Sequence, residues 1–254
     1  FASNSFGDNT RTRNNYITVN ELPSCLSINL PRPGTWSNFN YFSGPGAVNG
    51  FANGNNSDRD RQKAMYFDVS NTNAIGLVKI EVWFGRANAS DLNKIIRFRV
   101  FDGTNETPGA ELGVFEQTMG QIRQAVLANS GVSIDLPRNI LLPASKKFFL
   151  SVDFSTLEWN STTKDTLSIL SNLGNQSVGT PVFDQKSDGT WRRYGTSGTW
   201  TFENLSLYIH PFITSRPAFA VVSPINPEVC QGSSVTFSSA GSNFSSLLRW
   251  NTPN

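Results

Sequence analysis

The chain has 254 residues, 38% hydrophobic and 12% aromatic, enough apolar material to close a core and too much for a generally disordered polymer. Charged residues make up only 16% and the net charge is +2, with Arg59, Arg61 and Lys63 interleaved by Asp58 and Asp60, so the concentrated basic stripe of a nucleic-acid binder is missing. No apolar run approaches the roughly 18 residues of a membrane span, so no membrane insertion is expected, and the Asn, Ser, Thr and Gly that supply the remaining polarity suit an extracellular β protein.

Taken in chain order, residues 1–22 read as a turn at Phe6-Gly7-Asp8 and a strand at Tyr16-Ile17-Thr18-Val19. Asn20 to Pro33 holds three prolines and no clean periodicity, which marks a stiff junction. From Leu77 the dominant signal is period two, the mark of a half-buried strand. Val78, Ile80, Val82 and Phe84 share one face, opposite Lys79, Glu81 and Trp83; Ile96, Phe98 and Val100 oppose Arg97 and Arg99. Met119 to Ala128 alone reads as helical, with Met119, Ile122, Val126 and Leu127 near one face. Alternation resumes at Val132, Ile134 and Leu136, then at Phe148, Leu150, Val152 and Phe154, and again at Leu205, Leu207 and Ile209.

Asp102-Gly103, Pro108-Gly109, Asp188-Gly189 and Ser197-Gly198 bound these runs as turns. Ser215-Arg216-Pro217, Pro224 and Pro227 mark a second stiff junction. The reading is all-β: a central block, 24–214, forms an antiparallel sandwich of jelly-roll type, flanked by short segments 1–22 and 217–254. Cys25 and Cys230 fall in different segments, and both a disulfide and two free thiols stay open.

Two resemblances add context. Asn4-Ser5-Phe6-Gly7 and Tyr16-Ile17-Thr18-Val19 resemble the closing strands of a PKD (polycystic-kidney-disease) repeat, an immunoglobulin-like sandwich. Cys230-Gln231-Gly232-Ser233-Ser234-Val235-Thr236-Phe237 and Leu248-Arg249-Trp250-Asn251 resemble the opening strands of another, so both ends read as incomplete repeats. The central block is similar to a β module of large secreted bacterial proteins exported by the type IX system. Val100-Phe101-Asp102-Gly103-Thr104, Thr107-Pro108-Gly109-Ala110-Glu111-Leu112-Gly113, Leu142-Pro143-Ala144-Ser145 and Ser187-Asp188-Gly189-Thr190-Trp191 carry that likeness. It implies a modular exported protein at the cell surface or beyond, with neighbouring repeats as partners, and no particular activity.

Catalytic chemistry finds little to work with. His210 is the one histidine, no Gly-x-Ser-x-Gly elbow is present, and zinc-ligand spacing is missing. Asp153, Glu158, Asp165, Asp184 and Glu203 make no glycosidase signature, so the expectation is a protein that is not an enzyme. Asn53 to Asp60 is rich in oxygen donors, and Asp58 and Asp60 would be the charged ligands of a structural calcium, the sole cofactor considered; the alternative is an ordinary polar loop.

Trp191, Tyr194 and Trp200, with Arg192 among them, have the composition of a platform for stacking sugar rings, against the reading that they close an end of the sandwich. Thr166, in Asp165-Thr166-Leu167, fits the Asp-Ser/Thr-apolar pattern of O-linked glycosylation in exported proteins of this kind. The expected function is a structural or adhesive module that spaces repeats and contacts surface proteins or extracellular glycans. The alternative is a carbohydrate-binding accessory domain of a secreted hydrolase or peptidase.

Overall fold

The computed structural model of the chain describes residues 2–4, 7–11, 26–27, 40–42, 49–160, 162–172, 181–196, 205–215, 221–223 and 238–240. Its strands are β1 (Ala2–Asn4), β2 (Gly7–Arg11), β3 (Leu26–Ser27), β4 (Asn40–Phe42), β5 (Asn49–Phe51), β6 (Gln62–Asp68), β7 (Gly76–Val82), β8 (Phe84–Asn88) and β9 (Ile95–Asp102). They continue with β10 (Glu111–Thr118), β11 (Val132–Leu141), β12 (Lys147–Asp153), β13 (Thr166–Ile169), β14 (Val182–Gln185), β15 (Trp191–Arg193), β16 (Ile209–Thr214), β17 (Val221–Ser223) and β18 (Ser238–Ala240). One helix, α1 (Met119–Leu127), interrupts them among the described residues.

The chain divides into two compact units, one of Phe1–Ser24 with Arg216–Asn254, the other of Cys25–Ser215. In the first, β1 pairs with β2 and β17 with β18, both antiparallel. Tyr16 to Val19, Cys25, Cys230 to Phe237 and Leu248 to Asn251 lie outside the described residues.

In the second unit a six-stranded sheet runs β10-β9-β12-β6-β14-β15 and a four-stranded sheet β11-β7-β16-β3, every pairing antiparallel. A single apolar cluster draws on both sheets, taking Met65, Phe98 and Phe148 from one and Leu77, Ile80 and Ile209 from the other. The sheets therefore enclose one core, as alternation along the strands requires.

The expected core face holds with one shift. Ile80, Val82 and Phe84 are buried as expected, but Leu77 takes the inner place and Val78 is half-buried. The cause is a bulge: Phe212 pairs with Lys79 while the next residue, Ile213, pairs with Leu77, so Val78 is the extra residue and the face switches there. β12 departs further, because Phe149 is as buried as Phe148. On the far side of the six-stranded sheet, Ala64, Tyr66, Phe101, Phe149 and Phe183 form a second apolar cluster, with Trp191 packed against it. Ring centroids lie 5.1 Å apart for Tyr66 and Phe149 and 5.3 Å for Phe149 and Phe183.

α1 begins with a reciprocal cap: the Thr118 hydroxyl accepts from the Gln121 backbone, and the Gln121 side chain accepts from the Thr118 backbone. Met119 and Ile122 are buried, and the helix packs against β8. Leu127, by contrast, is 69% exposed and faces solvent.

Candidate functional site

The polar segment Asn53–Asp60 folds over one end of the core, and three of its asparagines are buried. Each side chain replaces a strand partner. Asn55 donates to the Asp165 carbonyl at 2.7 Å and accepts from the Leu167 backbone at 2.8 Å, which ties the loop to β13. Asn53 donates to the Ile169 carbonyl. Asn56 accepts from the Asp58 and Asp60 backbones through Oδ1, an Asx turn that throws Arg59 into the left-handed region at φ 56°. Gly54 is required by approach alone, because a Cβ there would fall 2.0 Å from the Leu167 carbonyl oxygen.

Beneath this loop lies a buried charge quartet. Lys63 Nζ sits 2.6 Å from Asp60 Oδ2 and 3.7 Å from Asp184 Oδ2, and all three side chains are wholly enclosed. Lys186 Nζ, partly exposed, lies 3.0 Å from Asp60 Oδ1 and 2.9 Å from Asp184 Oδ2. Burial alone would raise the Asp60 carboxyl, but the Lys63 ammonium, the Asn56 amide and Lys186 overcome that and hold it far below the usual carboxylate range. Lys63 also lies over the Tyr194 ring, 5.5 Å from its centroid.

A second clamp fixes the opposite wall. Asp165, fully buried, accepts from the Ser90 backbone at 2.8 Å, the Glu158 backbone at 2.9 Å and Lys94 Nζ at 2.7 Å. Desolvation would raise its carboxyl, yet these donors, Lys94 foremost, hold it below its ordinary value. Lys94 also pairs with Glu158 at 3.1 Å. Asp165 thus orders the turn that carries Leu157, Glu158 and Trp159.

Between the two walls opens a pocket of about 430 Å³. Its lining joins Arg59 and Arg61 to Glu158, Trp159 and Asn160, with Asn55, Asn56 and Asp60. Arg61 is held from both sides, its N–H donating to the Gln185 carbonyl at 2.7 Å and its carbonyl accepting from Phe154 at 3.0 Å. Trp159 lies against Gly50, where a Cβ would stand 2.9 Å from its Cη2 atom, so the glycine makes room for the indole. An aromatic wall, two guanidinium groups and several amides and hydroxyls make a cleft able to hold a polar ring with an apolar face.

The expected site residues are dispersed. Asp60 is closed to calcium because ammonium groups already occupy both of its oxygens, while Asp58 points outward on the loop. Loss of hydration and the neighbouring Asp60 carboxylate push the Asp58 carboxyl up. Among the described residues no group of three or more His, Cys, Asp or Glu side chains is placed to hold a metal ion. Tyr194 does not join a platform: it is 7% exposed within the core, and its hydroxyl donates to the Ala52 carbonyl. Trp191 is half-buried with its ring edge-on to Phe101 at 5.8 Å, Arg192 beside it is exposed, and Trp200 lies outside the described residues.

Thr166 is half-buried and paired through β13 with Asn88, and the Asp165 of its tripeptide is the buried clamp. His210 lies within the fold and not at its surface. It is 6% exposed near the start of β16, 4.5 Å from the Tyr208 ring. Arg59, Arg61 and Trp159 as partners were not legible beforehand. They are far apart in sequence, and the juxtaposition of β6 with β12 and the bonds from Asn55 to β13 bring them together.

A scan of the chain against family models, a search of curated proteins and a search of solved structures each return no match.

Proposed function

We propose that the central unit is a non-catalytic binding module of a large secreted or cell-surface bacterial protein, contacting extracellular glycans through the pocket between Arg61 and Trp159. In this reading the unit is an elaborated jelly roll, the terminal segments belong to PKD-type repeats, and those repeats are its covalent neighbours. The observation that carries the binding role is a pocket whose lining brings together Trp159, Arg59 and Arg61. Such a lining stacks the apolar C–H face of a pyranose while its polar groups take the hydroxyls.

The state of Asp60 supports binding over turnover. Hydrolysis by a carboxyl pair needs one member kept protonated as general acid. Asp60 is instead held ionised by two ammonium groups. The sugar contact thus moves from the Trp191 and Trp200 stretch to Trp159.

The test is glycan-array binding of the chain, followed by calorimetry on the best ligand. Trp159→Ala should weaken binding about tenfold or more, as expected for loss of a stacking ring, whereas Trp191→Ala should leave it within about twofold. Equal loss in both variants, or retention in Trp159→Ala, would exclude the pocket as the contact.

A further inference from the structure

We propose that this pocket selects an acidic pyranose, one whose ring carries a carboxylate or a sulfate ester; the inference rests on the sugar-binding reading above and narrows its ligand class. Both carboxylates of the lining already face an ammonium group. Asp60 is paired with Lys63 and Lys186, and Glu158 shares Lys94 with the buried Asp165. Among the described residues, neither Arg59 nor Arg61 makes an ion pair, and both are exposed at the lip. Among the described residues, the charged side chains of the lining that make no ion pair are therefore both arginines.

The arrangement is also built in advance. Arg59 keeps a left-handed backbone, φ 56°, that a non-glycine residue adopts at a cost, and the Asn56 turn enforces it. Arg61 is fixed through its backbone on both sides. Its Nη1 atom lies 3.8 Å from where a Cβ on Gly189 would stand, so the β14–β15 turn leaves its guanidinium space to pass. Two planar forks with unused donors match the oxygens of a carboxylate or sulfate. Trp159, in the same lining, takes the ring that carries the anion.

The experiment is calorimetry on the full chain at low ionic strength, with matched-length oligosaccharides of galacturonate, of sulfated galactose and of neutral galactose. Acidic ligands should bind about tenfold or more tighter than the neutral one, and 0.5 M salt should erase most of that margin. Arg59→Gln/Arg61→Gln should abolish the preference, so that acidic and neutral ligands bind alike, and Arg86→Gln, at an exposed arginine outside the pocket lining, should leave the preference in place. Unchanged circular dichroism in the double variant separates loss of charge from loss of fold. Equal affinity for neutral and acidic sugars, or a preference that survives the double variant, would overturn this inference and leave the sugar reading standing. Failure of every oligosaccharide to bind would remove both.

Discussion

Lys63 Nζ lies 2.6 Å from Asp60 Oδ2 with neither side chain exposed, and the same ammonium reaches Asp184 Oδ2 at 3.7 Å. Taking these charges out of water is costly, and the quartet with Lys186 persists because each charge has an opposite neighbour and Asn56 donates to Asp60 at 2.8 Å. Removing one member strands another. Lys63→Met should destabilise the chain by about 3 to 5 kcal/mol in urea unfolding, and Asp60→Leu by a comparable amount. The double variant should cost less than the sum by about 1 kcal/mol or more. Additive losses would mean that the two charges do not depend on each other.

Asp60 and the second buried carboxylate, Asp165, set the acid limit of the fold. Asp60 and Asp165 both titrate below their ordinary value in the folded chain. In the unfolded chain they take up protons near pH 4, whereas in the folded chain they stay ionised to lower pH. The stability they confer is thus complete above about pH 5 and drains away as pH falls through 4 toward their folded values. The melting temperature should be nearly flat between pH 7 and 5 and should drop below pH 4. Asp165→Asn should be less stable at pH 7 and show a shallower drop. A variant as steep as the parent would assign the acid transition to other groups.

Tyr194 shows how the sequence misdirects at this end of the molecule. Its place among Trp191, Arg192 and Trp200 invites an exposed platform, yet the ring belongs to the core and the hydroxyl is buried on Ala52. Tyr194→Phe keeps the ring and leaves the Ala52 carbonyl without this donor, so a loss of about 1 to 3 kcal/mol is expected with glycan binding intact. Thermal unfolding beside calorimetry checks both halves. A variant that binds poorly at full stability would return Tyr194 to the site.

What was legible follows from locality. Strands with one wet face, such as β9 with Ile96, Phe98 and Val100 inward, declare themselves through period two, and the helix through its spacing. β6 does not, because Gln62 through Phe67 are buried on both faces and its polar members are satisfied by groups distant in sequence, as Lys63 is by Asp184. Val78 could not be placed without knowing its bulge. The pocket is the least local feature: Trp159 stands at an isolated bridge to Lys164 with no periodicity, beside an Asp165 whose partners Ser90 and Lys94 lie 75 and 71 residues earlier. The Asn-rich loop was visible as oxygen-rich, but the sequence does not show that Asn55 bonds to β13 or that Asp60 pairs with two ammonium groups.

Gly54 tests whether that loop is as tightly seated as its bonds imply. It bridges to Ser168, and a Cβ there would lie 2.0 Å from the Leu167 carbonyl oxygen and 2.8 Å from Ser168 Cα, both backbone atoms unable to rotate away. Gly54→Ala must lift the loop from β13, breaking the Asn55 bonds to Leu167 and Asp165 and displacing the Arg59 lip. A loss of about 3 kcal/mol or more is expected, together with weakened glycan binding. Gly195→Ala is the contrast, since nothing lies within 4 Å of its Cβ and only its φ of 78° resists, which costs about 1 to 2 kcal/mol and leaves the pocket untouched. Equal effects from the two alanines in urea unfolding would show that the Asn53–Asp60 loop yields as readily as an open turn, and that the lip carrying Arg59 is not preformed.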